Sequence, residues 1–500
     1  MRDSRNESRK HLSAFIPPLI VRIMCKYLRI LPHVLGAGII AITPSAVLCA
    51  AGTNLGAYDI TTARQVEVAD VKARLDLDSY GGSRSIKGRA TGWFSLQQIK
   101  DRWWLVTPDG NSMISLGVTH ILAACALPLF DAAYHRDFTA FTRDAAENLR
   151  RWGFNSAGYG GVNKQNRQAM LNEMPAVVSL ELLEISRYSK NPERIDLFDG
   201  TVRRDLARSI AEYVEPVKGL KNLIGYMYVD LPQWWNLELR RKGNDWPFAY
   251  RRLAAGAPGK IRYVDFLLER RKTVAAVNEA YGTIVADRAG LLAERAWANL
   301  RPDDQSVMDD DRAFVAVLVR EYYKFCHDEI RKLDPQHLIF GDRYASVDLG
   351  LEDVIKEAVP YIDGVAIQPI PIKGMAARFD KAAFDRIAEL TGKPILICDF
   401  AVNFATPQFP SGMWGSWPTE DAAADLWAHY LDDAFAQPNM VGIHRCEYID
   451  LPVAMPQGNV LKQGLVQQDG RPYVRTVQRY AGIHKKLYER IYGVETEGEK

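Results

Sequence analysis

Eight short apolar runs recur along the chain, at 112–118, 153–157, 176–180, 223–229, 337–341, 364–368, 395–398 and 441–446, each bounded by polar or turn residues. Amphipathic stretches at 138–151, 202–213, 314–333, 381–391 and 421–436 lie between several of them. Apolar strands alternating with helices demand parallel pairing, because each crossover carries the chain back to the same end of the sheet. Eight such units close on themselves, which predicts a (β/α)₈ TIM barrel of the α/β class. The competing arrangement, an open doubly wound sheet, needs a glycine-rich phosphate loop after its first strand, and Gly158-Tyr159-Gly160-Gly161 does not complete that fingerprint. Neither a Walker loop nor an HExxH or GxSxG motif occurs.

A chain of 500 residues exceeds a minimal barrel, and the surplus falls in two places. Before the first run, Arg102-Trp103-Trp104-Leu105-Val106 followed by the turn Pro108-Asp109-Gly110-Asn111 reads as a hairpin leading into the barrel. Between the fourth and fifth runs about 100 residues intervene, too many for one crossover. The expected organisation is a targeting segment at 1–51, a β-rich extension at 52–110, a barrel at 111–490 with an insertion at 233–336, and a polar tail at 491–500.

The targeting segment rests on Arg22, Lys26 and Arg29 ahead of the apolar stretch 30–51, which ends in the small residues Cys49-Ala50-Ala51. Pro44 and Ser45 interrupt that stretch and argue against a retained membrane anchor. A lipobox is a poorer reading, since bulky Leu48 precedes Cys49. The protein is therefore expected to be periplasmic or secreted, without a stable membrane span once the leader is removed. The four cysteines that remain, Cys125, Cys326, Cys398 and Cys446, match no CxxC spacing and read as buried thiols.

Lys and Arg total 63 against 61 Asp and Glu, and no basic stripe stands out, so nucleic acid is not an expected partner. Aromatic content points to sugars instead. Eleven Trp and 22 Tyr supply flat rings that stack on apolar sugar faces, although most will be ordinary core.

Two runs end in a carboxylate: Asp399 closes Lys393-Pro394-Ile395-Leu396-Ile397-Cys398-Asp399, and Asp230 closes 222–230. A barrel presents its catalytic groups at the C-terminal ends of its strands, and paired carboxylates there suit glycosidic cleavage. Each taken alone is equally a helix N-cap. Glu447, after the eighth run, is a third candidate, with an ion pair to Arg445 as its structural alternative. Further candidates for sugar binding are His120 just after the first run, His444 within the eighth, Asn155, Arg343 and Gln368 at strand ends, and Trp234 beside the fourth run. Trp414 and Trp417, in the Pro- and Gly-rich loop 404–418, complete the set. A metal-dependent hydrolase would draw on His120, Asp230, Asp399 and His444, but the first run has no HxH pair, and no cofactor or metal is expected.

An ordered series of short motifs adds a family likeness. It comprises Ala90-Thr91-Gly92-Trp93-Phe94, Ser115-Leu116-Gly117-Val118, Trp152-Gly153-Phe154-Asn155, Ile224-Gly225-Tyr226, Val264-Asp265-Phe266-Leu267, Asp334-Pro335-Gln336-His337-Leu338, Gly341-Asp342-Arg343, Gly392-Lys393-Pro394 and Arg471-Pro472-Tyr473. From about residue 78 to 488 this series resembles the agarase-like glycoside hydrolases, most closely the exo-β-agarase group (family 50). The resemblance implies a retaining TIM-barrel glycosidase with a Glu proton donor after an Asn on strand four and a Glu nucleophile on strand seven. This chain departs at both. Asp230 and Leu231 stand where Asn and Glu are implied, and Asp399 replaces the second Glu. Asp is one methylene shorter, which widens the carboxyl separation from about 5 Å towards the roughly 6.5–9.5 Å of inverting enzymes. A carbohydrate-binding barrel that has lost catalysis is the alternative that Leu231 raises.

The leader yields the first prediction. N-terminal sequencing of protein exported from its native host should return a start between Ala50 and Thr53; a start at Met1 or Met24 would contradict export by cleavage.

Overall fold

The computed structural model describes residues 58–160, 167–180, 182, 196–230, 234–295, 297, 303–344, 352–369, 378–410, 412, 415–451 and 462–494. The leader and Trp414 lie outside these.

Four strands precede the barrel: β1 (Ser83–Lys87), β2 (Ser95–Ile99), β3 (Arg102–Val106) and β4 (Asn111–Met113), in the antiparallel order β1-β4-β3-β2. The predicted hairpin is β3–β4, paired at Leu105 with Met113 and Val106 with Ser112, and β2 adds to the other edge of β3, from Ser95 with Val106 to Ile99 with Arg102. The turn at 108–111 then carries the chain into β4. Here the structure divides what reads as one strand. Residues 111–113 belong to this small sheet, and only Ser115–Val118 enters the barrel as β5. Uniform apolarity hid the break, because both halves are fully buried.

The barrel closes through β5, β6 (Ser156–Ala157), β7 (Ala176–Ser179), β8 (Leu223–Asp230), β9 (Leu338–Tyr344), β10 (Val365–Ile367), β11 (Ile395–Ala401) and β12 (Met440–Cys446). All eight predicted runs contribute a strand, and closure is made by β12 pairing parallel to β5, from Gly442 with Ser115 to Arg445 with Val118. Two strands are short, and β6 compensates with a side chain. The Asn155 carboxamide accepts from Leu116 N (2.9 Å) and donates to Ile114 O (2.8 Å), extending the ladder that its own two residues cannot supply.

Two apolar clusters follow from the strand pleat. Outward residues such as Leu116, Val118, Ile339, Ile367 and Ile443 pack under the surrounding helices. Inward residues Val177, Ile224, Met227, Leu338, Phe340, Ala366 and Leu396 form the second cluster with Phe94, Leu105 and Met113 of the small sheet, which thereby covers the barrel's N-terminal end. The four cysteines in the described chain are free thiols, three of them buried.

The segment between β8 and β9 is helical: Leu237–Arg241, Trp246–Arg252, Pro258–Arg271, Val274–Tyr281, Arg288–Ala293 and Gln305–Leu333. Its helix starts are legible. Asn236, Asp245, Thr273, Asp287 and Asp304 each accept a backbone N–H of the following turn, and Pro258 opens its helix at the first position. What holds the segment's own helices together is electrostatic. Asp311, on the long helix, receives both Arg240 and Arg251, all three side chains being wholly buried, and Asp245 sits 3.2 Å from Arg240.

Removing one partner from such a network leaves buried charge uncompensated. Asp311→Ala should lower the unfolding free energy by about 3–5 kcal/mol in a urea titration; a loss below about 1 kcal/mol would show that the network is not what holds the insertion's helices together.

Candidate active site

Asp399 does not end its strand; β11 continues to Ala401. Strict alternation from inward Leu396 would point Asp399 outward at the helices. A bulge reverses this. Ile397 pairs with Ile443 and Phe400 with Arg445, three residues opposing two. Phe400 thus faces outward, packed against Trp427 and Tyr430 at ring separations of 5.7 and 4.0 Å, and Asp399 turns into the barrel.

Inside, donors from four other strands or their ends converge on it. Tyr159 Oη donates to Asp399 Oδ2 at 2.8 Å, the Arg343 guanidinium at 2.6 Å and Gln368 Nε2 at 3.1 Å, while His120 Nε2 lies 3.9 Å away. Arg343 also bonds Tyr159 Oη and lies over its ring. Burial alone would push the Asp399 carboxyl upward; the neighbouring His120 imidazole and the charge of Arg343, helped by Tyr159, outweigh it and hold the group down at about 2. Its surroundings therefore favour the ionised form of Asp399. His120 reaches the cluster from a left-handed backbone (φ 54°) beside Gly160 (φ 97°), where a Cβ would run into the imidazole.

His444 lies deeper. Its Nε2 is 2.9 Å from Ser115 Oγ, which in turn meets Ser156 Oγ at 2.7 Å, and the ring fills a slot left by Gly117 and Gly158. Burial, opposed only by the charge of Asp399, brings its pKa down to about 3, so it is neutral packing of the barrel interior.

Glu447 is the electrostatic opposite of Asp399. Its carboxyl is fully buried and neither oxygen has a hydrogen-bond partner. Burial first, then the charges of Asp450 and Asp399, raise its pKa well above the ordinary value of 4.5, with Arg445 opposing. The ion pair with Arg445 does not form, because that guanidinium is committed to the carbonyls of Val402 (2.9 Å), Cys446 (3.2 Å), Glu447 (3.0 Å) and Gln463 (2.6 Å).

The other candidates divide. Arg343, Gln368 and His120 join the Asp399 cluster. Asp230 closes β8 with its backbone in register with Arg343, which puts it at the level of that cluster. Asn155 is bound up with strand backbone and does not join it. Trp234 is buried, stacked on Trp246 at 4.8 Å and tilted against Tyr322, as core of the insertion. Trp417 is half-buried and pairs by its backbone with Asn403 and Ala405, stitching the loop after β11 to itself. Sequence reasoning missed Tyr159. Its signal was present in the glycine-flanked position just after the second run, which was read only as a failed phosphate loop.

The raised pKa of Glu447 makes a stability prediction. The folded state keeps a proton that the unfolded chain releases near 4.5, so this group's contribution falls as pH rises above that value. Glu447→Gln should flatten that decline between about pH 5 and 7 in thermal melts; an unchanged pH slope would mean that Glu447 titrates normally.

No family model matches the chain. In sequence it is similar to the β-agarase B of Vibrio sp. (strain JT0107), 23% identical over 235 residues, which is 46% of this chain and 24% of that protein. β-Agarase A of the same strain is 26% identical over 231 residues, 44% of this chain and 22% of its own length. The chain thus spans under a quarter of the curated relatives it matches. The solved structure of an exo-β-agarase superposes with a TM-score of 0.65 at 17% identity, covering 85% of this chain and 70% of the other, which supports the barrel fold.

Proposed function

We propose that this protein is an exported glycoside hydrolase that cleaves a polysaccharide or its oligosaccharides in the manner of an agarase. The observation that carries the reading is the contrast between two buried carboxyl groups: Asp399 is bonded by Tyr159, Arg343 and Gln368, which favours its ionised form, whereas neither oxygen of Glu447 has a partner, which together with the charge of Asp399 favours its protonated form. Carboxyl groups whose surroundings drive their pKa values apart divide into an acid and a base, which is what glycosidic cleavage requires. Likeness to β-agarases supplies the substrate class.

In this reading Asp399, oriented by Tyr159, Arg343 and Gln368, sets its negative charge against the anomeric carbon as oxocarbenium character develops there. A protonated carboxyl delivers its proton to the departing glycosidic oxygen. Glu447 is favoured as that acid by its surroundings, and Asp230 by its place at the end of strand four. His120 and Gln368 lie where they can also meet sugar hydroxyls, and Trp414 and Trp417 are the stacking platforms that the loop after strand seven would offer. Export rests on the leader at 1–51; among the described residues no helix is long and apolar enough to cross a membrane.

The test is release of reducing ends from a panel of agarose, porphyran and β-glucan. At least one galactan should be cleaved, and Asp399→Asn should reduce turnover by about 10³-fold or more while the protein remains folded. Whichever of Glu447→Gln and Asp230→Asn recovers its rate on substrates with a good leaving group identifies the acid. Binding of galactans without cleavage, or full activity in Asp399→Asn, would instead make this a carbohydrate-binding barrel.

A further inference from the structure

The mouth of the barrel also brings together a thiol that glycosidic chemistry has no use for. Cys446 closes β12, on the strand next to Asp399. One ligating atom each of His120, Asp399 and Cys446 lie within 4.8 Å of one another. The three come from strands one, seven and eight, so barrel closure itself assembles them. From this juxtaposition we propose that His120, Asp399 and Cys446 form a binding site for a soft divalent cation of the zinc type, and that occupancy switches off the hydrolase proposed above.

Imidazole, carboxylate and thiolate are a donor set that zinc accepts and that magnesium or calcium does not. Bonds of about 2.0–2.3 Å put the ligand atoms of one tetrahedral zinc about 3.5 Å apart, so the widest pair here needs to close by only about 1 Å. Tyr159 and Gln368 already hold the carboxylate through its Oδ2, as outer-shell partners do at metal centres. His120 is the solvent-facing edge of the triad, with 11% of its side chain exposed, and gives the ion its way in. Binding replaces the S–H bond of Cys446 by an S–Zn bond and releases one proton to solvent; no electron moves. The Arg343 guanidinium on Asp399 opposes the incoming charge, so the site is one for inhibitory rather than permanently bound metal. The inhibitory half rests on the proposed hydrolysis; the binding half does not.

The experiment titrates full-length mature protein with Zn²⁺ by calorimetry and with Co²⁺ by absorbance. One Zn²⁺ should bind per chain, and Co²⁺ should give a near-ultraviolet sulfur-to-cobalt charge-transfer band. Cys446→Ser should abolish the band and weaken Zn²⁺ binding at least tenfold. His120→Ala, a second variant at the solvent-facing edge, should weaken binding comparably while circular dichroism shows native helix content. Unchanged, wild-type affinity in either variant, or cobalt binding without the sulfur band, would overturn the site. Where a glycan is cleaved, stoichiometric Zn²⁺ should stop hydrolysis and a chelator restore it; full activity in the zinc-loaded protein would overturn the inhibitory role. Should no glycan be cleaved, the functional reading fails while the spectroscopic result still decides the metal site.

Discussion

A carboxylate buried inside a barrel is tolerable only if a cation and hydrogen-bond donors meet it there, and the Asp399–Arg343 pair is that compensation. Arg343 comes from β9, Tyr159 from the end of β6, Gln368 from the end of β10 and His120 from the end of β5. No two of these strands are adjacent in sequence to β11 on both sides, so only a closed sheet brings all four to one point. Arg343 reaches Asp399 across β10, whereas Tyr159 and His120 reach it only through the barrel's closure between β12 and β5, and the glycines leave room for His120 and His444.

A second buried carboxyl is pushed the other way. Asp399 gains a cation and three donors, whereas Glu447 finds no partner for either oxygen because Arg445 is spent on backbone carbonyls. Two acids with similar intrinsic strength are thus driven in opposite directions: burial raises both, donors and a cation reverse it for Asp399, and neighbouring carboxylates add to it for Glu447. That asymmetry, more than the presence of carboxylates, is what makes the mouth suited to proton-assisted bond cleavage.

The architecture was legible because parallel strands buried on both faces read as apolar runs, and eight of them admit one closed solution. Asp399, Arg343, Gln368 and His120 were legible as polar residues at run ends. What the sequence did not reveal was geometry set by register. The β11 bulge inverts the facing of Asp399, and nothing in Cys398-Asp399-Phe400 marks where two residues oppose one. The division of 112–118 between two sheets was hidden by uniform burial on both sides of Ile114. Trp234 and Asn155 looked like ligands because aromatic and amide groups near strand ends serve sugars and cores equally well. Only their contacts distinguish the two roles. Tyr159 escaped because a lone tyrosine between glycines has no motif.

The most direct test of an ionised Asp399 working against a protonated acid is the pH dependence of kcat/KM for hydrolysis of an agaro-oligosaccharide, measured where circular dichroism shows folded protein. The acidic limb should lie below the ordinary Asp value of 3.8, set by a group near 2, and the alkaline limb should fall with a carboxylic acid of raised pKa. An acidic limb at or above 3.8, or a rate that stays level into alkaline solution, would contradict the account.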